Sequence, residues 1–457
     1  MSHFKKYIPD FRTWRPGRIL IFSYITAIII ASLILYIPLL SSSGDLSYID
    51  SLFTATSALC VTGLIVVDTG KAFNTGGQIF IMLLLEVGGL GIMTLSTFFF
   101  YLLGRGISSK TRTILYSTYT PTPHGEVRSL LKSIIKYALT IEAIGTILLT
   151  ISWARDFNPI KAFYLAMFHS VSAFTNSGFS LFTDSLMGYK DNYLTNFAFY
   201  SLIFLGGLGF LTLLNLSHRG KSGRKPKILL NTRLVLIVSG VLIIGGAIAF
   251  ALLEYGNTLS GLNLKDIALI SLFQSITTRT AGFNSVQISQ LTNATLLIFI
   301  FLMFIGASPG SCGGGIKTTT LGVLAALIFN RLRGGERVNL MGRTLPSQVV
   351  IRAVSILVVG VIVIFTFTFL LMITQLPEVS YGQSKGLFLE YLFEAVSAFG
   401  TVGLSMGITG NLNTIGKLLI IMLMIIGRIG PLSMAYAIAK TQTKYQLEYA
   451  EEEVMIG

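Results

Sequence analysis

Four stretches of the chain end alike: SLFTATSALCVTGL (51–64), AMFHSVSAFTNSGF (166–179), SLFQSITTRTAGF (271–283) and YLFEAVSAFGTVGL (391–404). Each runs from apolar residues through a short polar segment to a glycine and a bulky apolar residue. The glycine lies ten residues after a phenylalanine in three of them (Phe53 to Gly63, Phe168 to Gly178, Phe393 to Gly403) and nine in the other (Phe273 to Gly282). The chemistry such segments offer is that of the backbone. Glycine reaches positive φ, so it can turn carbonyls in directions that a β-carbon obstructs. Extended loops meeting on one axis can then replace the hydration shell of a cation with carbonyl oxygens. A half-length helix ending at each loop would aim its partial negative charge at the same point and repel anions. The candidate ion-binding residues are Val61, Thr62, Gly63, Asn176, Ser177, Gly178, Thr280, Ala281, Gly282, Thr401, Val402 and Gly403. One glycine after an apolar run is an ordinary helix end; four at matched offsets call for a common cause.

A second constellation lies in the long apolar stretch at 293–330. Gly306, Ala307, Ser308, Pro309, Gly310, Ser311, Cys312, Gly313, Gly314 and Gly315 follow one another there. In a helix interior each glycine costs about 1 kcal/mol and the proline about 3, so a broken helix is expected. Its small residues can project into a passage and move at low steric cost, which makes 306–315 the candidate gate. Gly310 to Gly315 followed by Ile316-Lys317-Thr318 approximates a phosphate-binding loop, but Ile316 sets the lysine one place late and a spanning segment precedes it in place of a soluble strand. Lys317 reads instead as a group that holds the loop or shields charge at an inner vestibule. Arg428, in Gly427-Arg428-Ile429-Gly430-Pro431, lies about a dozen residues into an apolar helix. A guanidinium near the membrane centre costs about 2.5–3.5 kcal/mol on the insertion scale and faces a partner or water path, so Arg428 is expected beside the gate. The clusters Gly88-Gly89-Leu90-Gly91 and Gly206-Gly207-Leu208-Gly209 read as packing or kink sites. Glu86, Glu142, Glu390 and Glu394, with His169 and Gln274 at equivalent places, are expected to be hydrogen-bonded partners of loop amides. Arg279 is expected to pair with a neighbouring acid.

The elements that must position these residues follow from composition. Of 457 residues 52% are hydrophobic and 12% charged, with a mean hydropathy of +0.73. Soluble domains carry about 25% charged residues, so an ordinary soluble enzyme is excluded. A membrane helix needs about 20 apolar residues. Eight segments qualify, at roughly 18–40, 78–103, 130–152, 193–216, 233–253, 293–330, 350–373 and 415–439. The first follows a basic start (Lys5, Lys6, Arg12, Arg15) without a small-residue cleavage site, so it is expected to be retained. Of 34 Lys and Arg, 24 fall on alternate connections, at 1–18, 104–137, 218–233, 331–352 and the tail. Short cytoplasmic loops are enriched in such residues, which puts both termini in the cytoplasm and the four glycine loops on the outer face. The net charge of +14 is then a topological label, not a nucleic-acid surface. Cys60 and Cys312 make no disulfide framework, and His3, His124, His169 and His218 form no cluster.

The expected fold is an all-α membrane protein: four pseudo-symmetric repeats of helix, re-entrant pore helix with filter loop, and helix, around one central cation pore. The boundaries are 1–17, 18–105, 130–219, 233–334 with a broken second helix, 350–440 and 441–457. The loops resemble degenerate potassium-channel filters of the Thr-Val-Gly-Tyr-Gly type, and with the repeat the chain resembles the Trk/Ktr/HKT superfamily of potassium transporters over essentially its whole length. Without two extra amino-terminal spans it looks more like the KtrB-type subunit of bacterial Ktr systems than like the TrkH type.

The resemblance implies potassium uptake across the plasma membrane, driven by membrane potential. It places an intramembrane gating loop in the third repeat with Arg428 as a cation barrier beside it. Gly63 goes with potassium preference, since serine there goes with sodium permeation in some plant members. No cofactor is implied, and sodium as an activator stays open. The implied partners are a second copy of the chain and a cytosolic ring of nucleotide-binding regulatory subunits of the KtrA type, with membrane lipids around the basic inner loops. The alternatives are a sodium-permeable transporter of the same architecture and an intramembrane enzyme, which would need an interfacial His, Asp or Cys cluster.

Overall fold

The computed structural model describes residues 16–91, 127–217, 228–376 and 379–430, apart from residues 43, 45 and 381. The inner basic stretches at 104–126 and 218–227, the inner part of the second expected span, and the tail with the end of the eighth span lie outside the described residues. Within them the chain is helical except for one hairpin, β1 (Asn339–Leu340) and β2 (Arg343–Thr344).

One order of elements recurs. Helix α1 (Pro16–Leu35) leads to the shorter α2 (Tyr48–Leu59), the one-turn α3 (Thr69–Ala72) and α4 (Thr75–Leu90). Then come α5 (Val127–Trp153), α6 (Pro159–Phe174), α7 (Tyr193–Leu208) and α8 (Phe210–Ser217), followed by α9 (Leu230–Glu254), α10 (Leu264–Thr277), α11 (Asn293–Phe304) and α12 (Thr318–Leu332). Last are α13 (Ser347–Gln375), α14 (Leu387–Gly400) and α15 (Thr414–Ile429).

The starts are written in the sequence. Asn74, Asn192, Thr292 and Asn413 cap α4, α7, α11 and α15, each accepting the amide three residues on at 2.8–3.3 Å. Such a cap stabilises a helix by about 1 kcal/mol. The ends differ by kind. Among the described residues Lys132–Trp153, Leu230–Glu254 and Ser347–Gln375 are long and apolar enough to cross a membrane unbroken. The helices that follow the glycine loops all stop or bend at glycine-rich points within the described residues. Helix α4 stops at Gly91 (φ +82) and α15 at Gly430 (φ +90). The expected continuous span at 193–216 is two helices, α7 and α8, meeting at 99° across Gly209 (φ +86). A left-handed residue ends a helix by turning its carbonyls away from the ladder, and apolar composition on both sides hides such a break from hydropathy. The interruption at 305–317 is the longest.

Packing closes these elements into a circle: α4 lies on α6, α7 on α10, α11 on α14 and α15 on α2. Phe53, Phe168, Phe273 and Phe393, on the four short helices, are buried. Gly88, Gly206 and Gly427 bring α4, α7 and α15 so close to the last carbonyls of α2, α6 and α14 (Leu59, Phe174, Phe399) that no side chain fits between. Lys417 on α15 donates to Asp50 on α2 at 2.7 Å, an ion pair with both side chains less than one-fifth exposed.

Candidate ion-binding site

The four loop glycines touch. A Cβ on Gly63 would strike the Ser177 carbonyl and lie 3.0 Å from Gly178 Cα; one on Gly178 would lie 2.9 Å from both the Ala281 carbonyl oxygen and Gly282 Cα. One on Gly282 would strike the Val402 carbonyl, and one on Gly403 the Thr62 carbonyl, with Gly63 Cα at 3.0 Å. Each glycine thus abuts the carbonyl before the next glycine, and the circle returns to its start. All four have positive φ, from +73° to +92°. Two residues earlier in each loop a non-glycine also lies in the left-handed region: Val61 (+55°), Asn176 (+58°), Thr280 (+70°) and Thr401 (+50°). The residue between has ordinary φ, so the backbone alternates in hand and turns successive carbonyls to one side. Holding a side-chain-bearing residue there costs on the order of 1–2 kcal/mol, a strain that the surrounding packing must impose.

That packing centres on a hydroxyl four residues after each buried phenylalanine, a position that the sequence reading did not single out. The carbonyls of Ser57, Ser172, Thr277 and Ser397 accept the amides of Thr62, Ser177, Ala281 and Val402 at 2.8–3.0 Å. Their hydroxyls clasp the following residues. Ser57 and Ser397 accept Gly63 N–H and Gly403 N–H at 3.1 Å, whereas Ser172 and Thr277 donate to the Phe179 and Phe283 carbonyls at 2.6 and 2.5 Å. The signal was present as Phe-x-x-x-Ser/Thr in all four copies. Counted from this hydroxyl, the glycine comes six residues later in three loops and five in the third, which locates the shortened spacing after the hydroxyl rather than before it.

The residue after each phenylalanine braces the outgoing chain in three of the four loops. His169 Nε2 accepts the Leu181 amide at 3.3 Å and meets Ser180 Oγ at 3.1 Å. Gln274, with its side-chain oxygen turned to Ser285, accepts the amides of Ser285 (3.0 Å) and Val286 (3.3 Å). Glu394 accepts from the hydroxyls of Ser405 (2.8 Å) and Thr409, so its partners are hydroxyls where loop amides were expected. Glu86 on α4 and Glu142 on α5 take a different course: they lie near one another, and both Glu86 carboxyl oxygens and Glu142 Oε1 have no hydrogen-bond partner among the described residues. Arg279 also departs from expectation, because no acid meets it among the described residues. It donates to the carbonyl (3.5 Å) and hydroxyl (3.1 Å) of Ser239 on α9.

The interrupted segment lies against the same threonines that open the loops. Gly314 N–H donates to Thr401 Oγ1 at 2.9 Å, and Gly313 leaves no room for a Cβ beside Thr280. Ser308 and Cys312 amides donate to the Gly207 and Gly206 carbonyls at 3.1 and 3.3 Å, and Phe210 N–H returns a bond to Gly310 at 3.0 Å. Two cations complete the fastening. Lys317 Nζ donates to the Gly313 (2.7 Å) and Gly314 (3.3 Å) carbonyls. Arg428 donates to the carbonyls of Cys312 and Gly88 and reaches Tyr24 Oη at 3.5 Å, tying the segment to α4 and α1. On the opposite side of the glycine circle a cavity of about 410 Å³ opens, lined by Gly63, Gly178, Gly282 and Gly403 with Asp68 and Ser405 among its other walls. A ring of backbone with a polar cavity on one face and a cation-fastened loop on the other is built to hold and pass a small cation.

The chain belongs to the TrkH family of cation transport proteins, which it matches over residues 21–447, and it is a membrane protein of that family. It is 38% identical to the Ktr system potassium uptake protein B of Vibrio alginolyticus, over 99% of this chain and 98% of that one. It is 36% identical to the potassium/sodium uptake protein NtpJ of Enterococcus hirae, over 97% of each. Among solved structures its fold is similar to that of the potassium transporter TrkH from Vibrio parahaemolyticus, with a TM-score of 0.74 at 20% identity, covering 95% of this chain and 87% of that chain.

Proposed function

We propose that this chain takes up potassium through a central pore whose filter is the glycine circle, with 18–105, 130–219, 233–334 and 350–440 as four repeats around it. The carrying observation is the contact of Gly63, Gly178, Gly282 and Gly403 in sequence around one point, each at positive φ. Carbonyls of Val61, Thr62, Asn176, Ser177, Thr280, Ala281, Thr401 and Val402 line the path with them. Residues 306–315, fastened by Lys317 and Arg428, are the gate. Potassium enters down the membrane potential, worth about 2.3 kcal/mol per charge per 100 mV. The relatives named for Ktr potassium uptake support the substrate, and their naming as parts of a system supports partner proteins; the partners proposed are a second copy of the chain and a cytosolic ring of nucleotide-binding regulatory subunits. The chain is read as lying in the plasma membrane with both termini cytoplasmic, an orientation that the alternation of basic connections supports.

The test is growth of potassium-uptake-deficient cells in low potassium, with rubidium and sodium uptake measured in parallel. The wild type restores growth and takes up rubidium in preference to sodium; a chain that does neither is not a potassium transporter. A relative named for both potassium and sodium keeps a sodium-permeable reading in view. Gly63→Ser is expected to raise sodium uptake relative to rubidium, and a wild type without potassium preference favours that second reading.

A further inference from the structure

Arg279 is a whole positive charge in the wall of the glycine circle. It directly precedes Thr280, Ala281 and Gly282, and it is 7% exposed. Its two hydrogen bonds go to Ser239, a neutral residue, and its Nε–H has no acceptor among the described residues. An arginine presents five donors and no acceptor and stays protonated. Behind it lies a crevice of about 10 Å³ walled by Ile203, Phe204, Ile243 and Ile276, room for about one water and too apolar to neutralise a charge. The residues just before the left-handed position in the other three loops are Cys60, Thr175 and Gly400. None of them is charged. Lys317 and Arg428 sit on the side of the circle away from the cavity and spend their donors on loop carbonyls. Among the described residues Arg279 is the cation nearest in sequence to a circle glycine, three residues before Gly282.

A tie to one serine could be made by a neutral amide, so the charge itself needs an account. In a poorly screened site a fixed charge acts over several ångströms, and its repulsion is twice as large for a divalent ion as for a monovalent one. A carbonyl cage sized for potassium cannot reject barium by radius, and its oxygens attract the divalent ion more strongly. We propose that Arg279 is the specificity-determining charge that excludes divalent cations of potassium's size from the path. This rests on the reading of the glycine circle as that path.

External barium is titrated against rubidium uptake, each variant referred to its own uptake without barium. Arg279→Gln is expected to lower the half-blocking barium concentration at least tenfold, and Arg279→Lys to return it toward the wild-type value. Ser239→Asp places a carboxylate against the guanidinium, keeps an acceptor for the donors that now meet Ser239 and cancels the field. It is expected to deepen the block as Arg279→Gln does, and it decides the matter if Arg279→Gln does not accumulate in the membrane. A barium block unchanged in Ser239→Asp, or in an Arg279→Gln protein that takes up rubidium, overturns the proposal. A wild type that takes up no rubidium defeats the proposed function itself, before barium is added.

Discussion

The glycine circle and the 306–315 segment are neighbours built on opposite principles. The circle is made by backbone against backbone: each glycine rests on a carbonyl of the next loop, and each loop is pinned by a hydroxyl from its own helix. No side chain from elsewhere needs to reach in, and none fits. The segment keeps three backbone bonds to Gly206, Gly207 and Phe210, but its remaining fastenings are the tips of long side chains, Lys317 and Arg428, and one threonine hydroxyl. Long side chains can release a carbonyl by changing rotamer, whereas a Gly-to-carbonyl contact can be undone only by moving a helix. Ion coordination needs fixed distances and gating needs a reversible hold, so the two kinds of contact suit the filter and gate roles proposed for these two regions.

Substitutions that exchange the two principles test the division. The largest effect is expected from Gly282→Ala, which drives a methyl into the Val402 carbonyl at a φ of +78°. Rubidium uptake should fall at least a hundredfold in protein that still reaches the membrane, and near-normal uptake would remove the circle from the path. Arg428→Gln frees the Cys312 and Gly88 carbonyls, and uptake is expected to rise about tenfold with the potassium-to-sodium preference unchanged. A changed preference would make Arg428 part of the filter instead of the fastening. Smaller is Ser397→Ala, which leaves Gly403 N–H without its acceptor. A net neutral hydrogen bond is worth about 1 kcal/mol, so the preference should drop roughly fivefold. Wild-type selectivity in that variant would show that the loop holds without its hydroxyl.

The glycine loops were legible because a backbone requirement leaves a residue-type trace: only glycine meets positive φ and close approach together, so Gly63, Gly178, Gly282 and Gly403 stand out at matched offsets. The interruption at 306–315 was legible for a like reason, since no helix tolerates that run. The cluster Gly206-Gly207-Leu208-Gly209 was legible as a packing or kink site but the size of the bend was not, because glycines inside apolar residues have the same composition whether the helix kinks slightly or turns through 99°. The partner of Arg279 was missed for a different reason. Charge suggests an acid, but Ser239 lies 40 residues away on another helix, and nothing local to either residue names the other. The short spacing in the third loop became interpretable only when the Thr277 anchor showed that the residue is missing between the hydroxyl and the glycine.

The ion pair of Lys417 with Asp50 joins residues 367 apart in the chain, at the seam where Gly403 meets Gly63. Chains emerge from the ribosome amino terminus first, so the wall beside Gly63 stays open until nearly the last helix has been made. A chain cut before Gly403 lacks one of the four glycine contacts, so the circle closes only after the three other loops have been made.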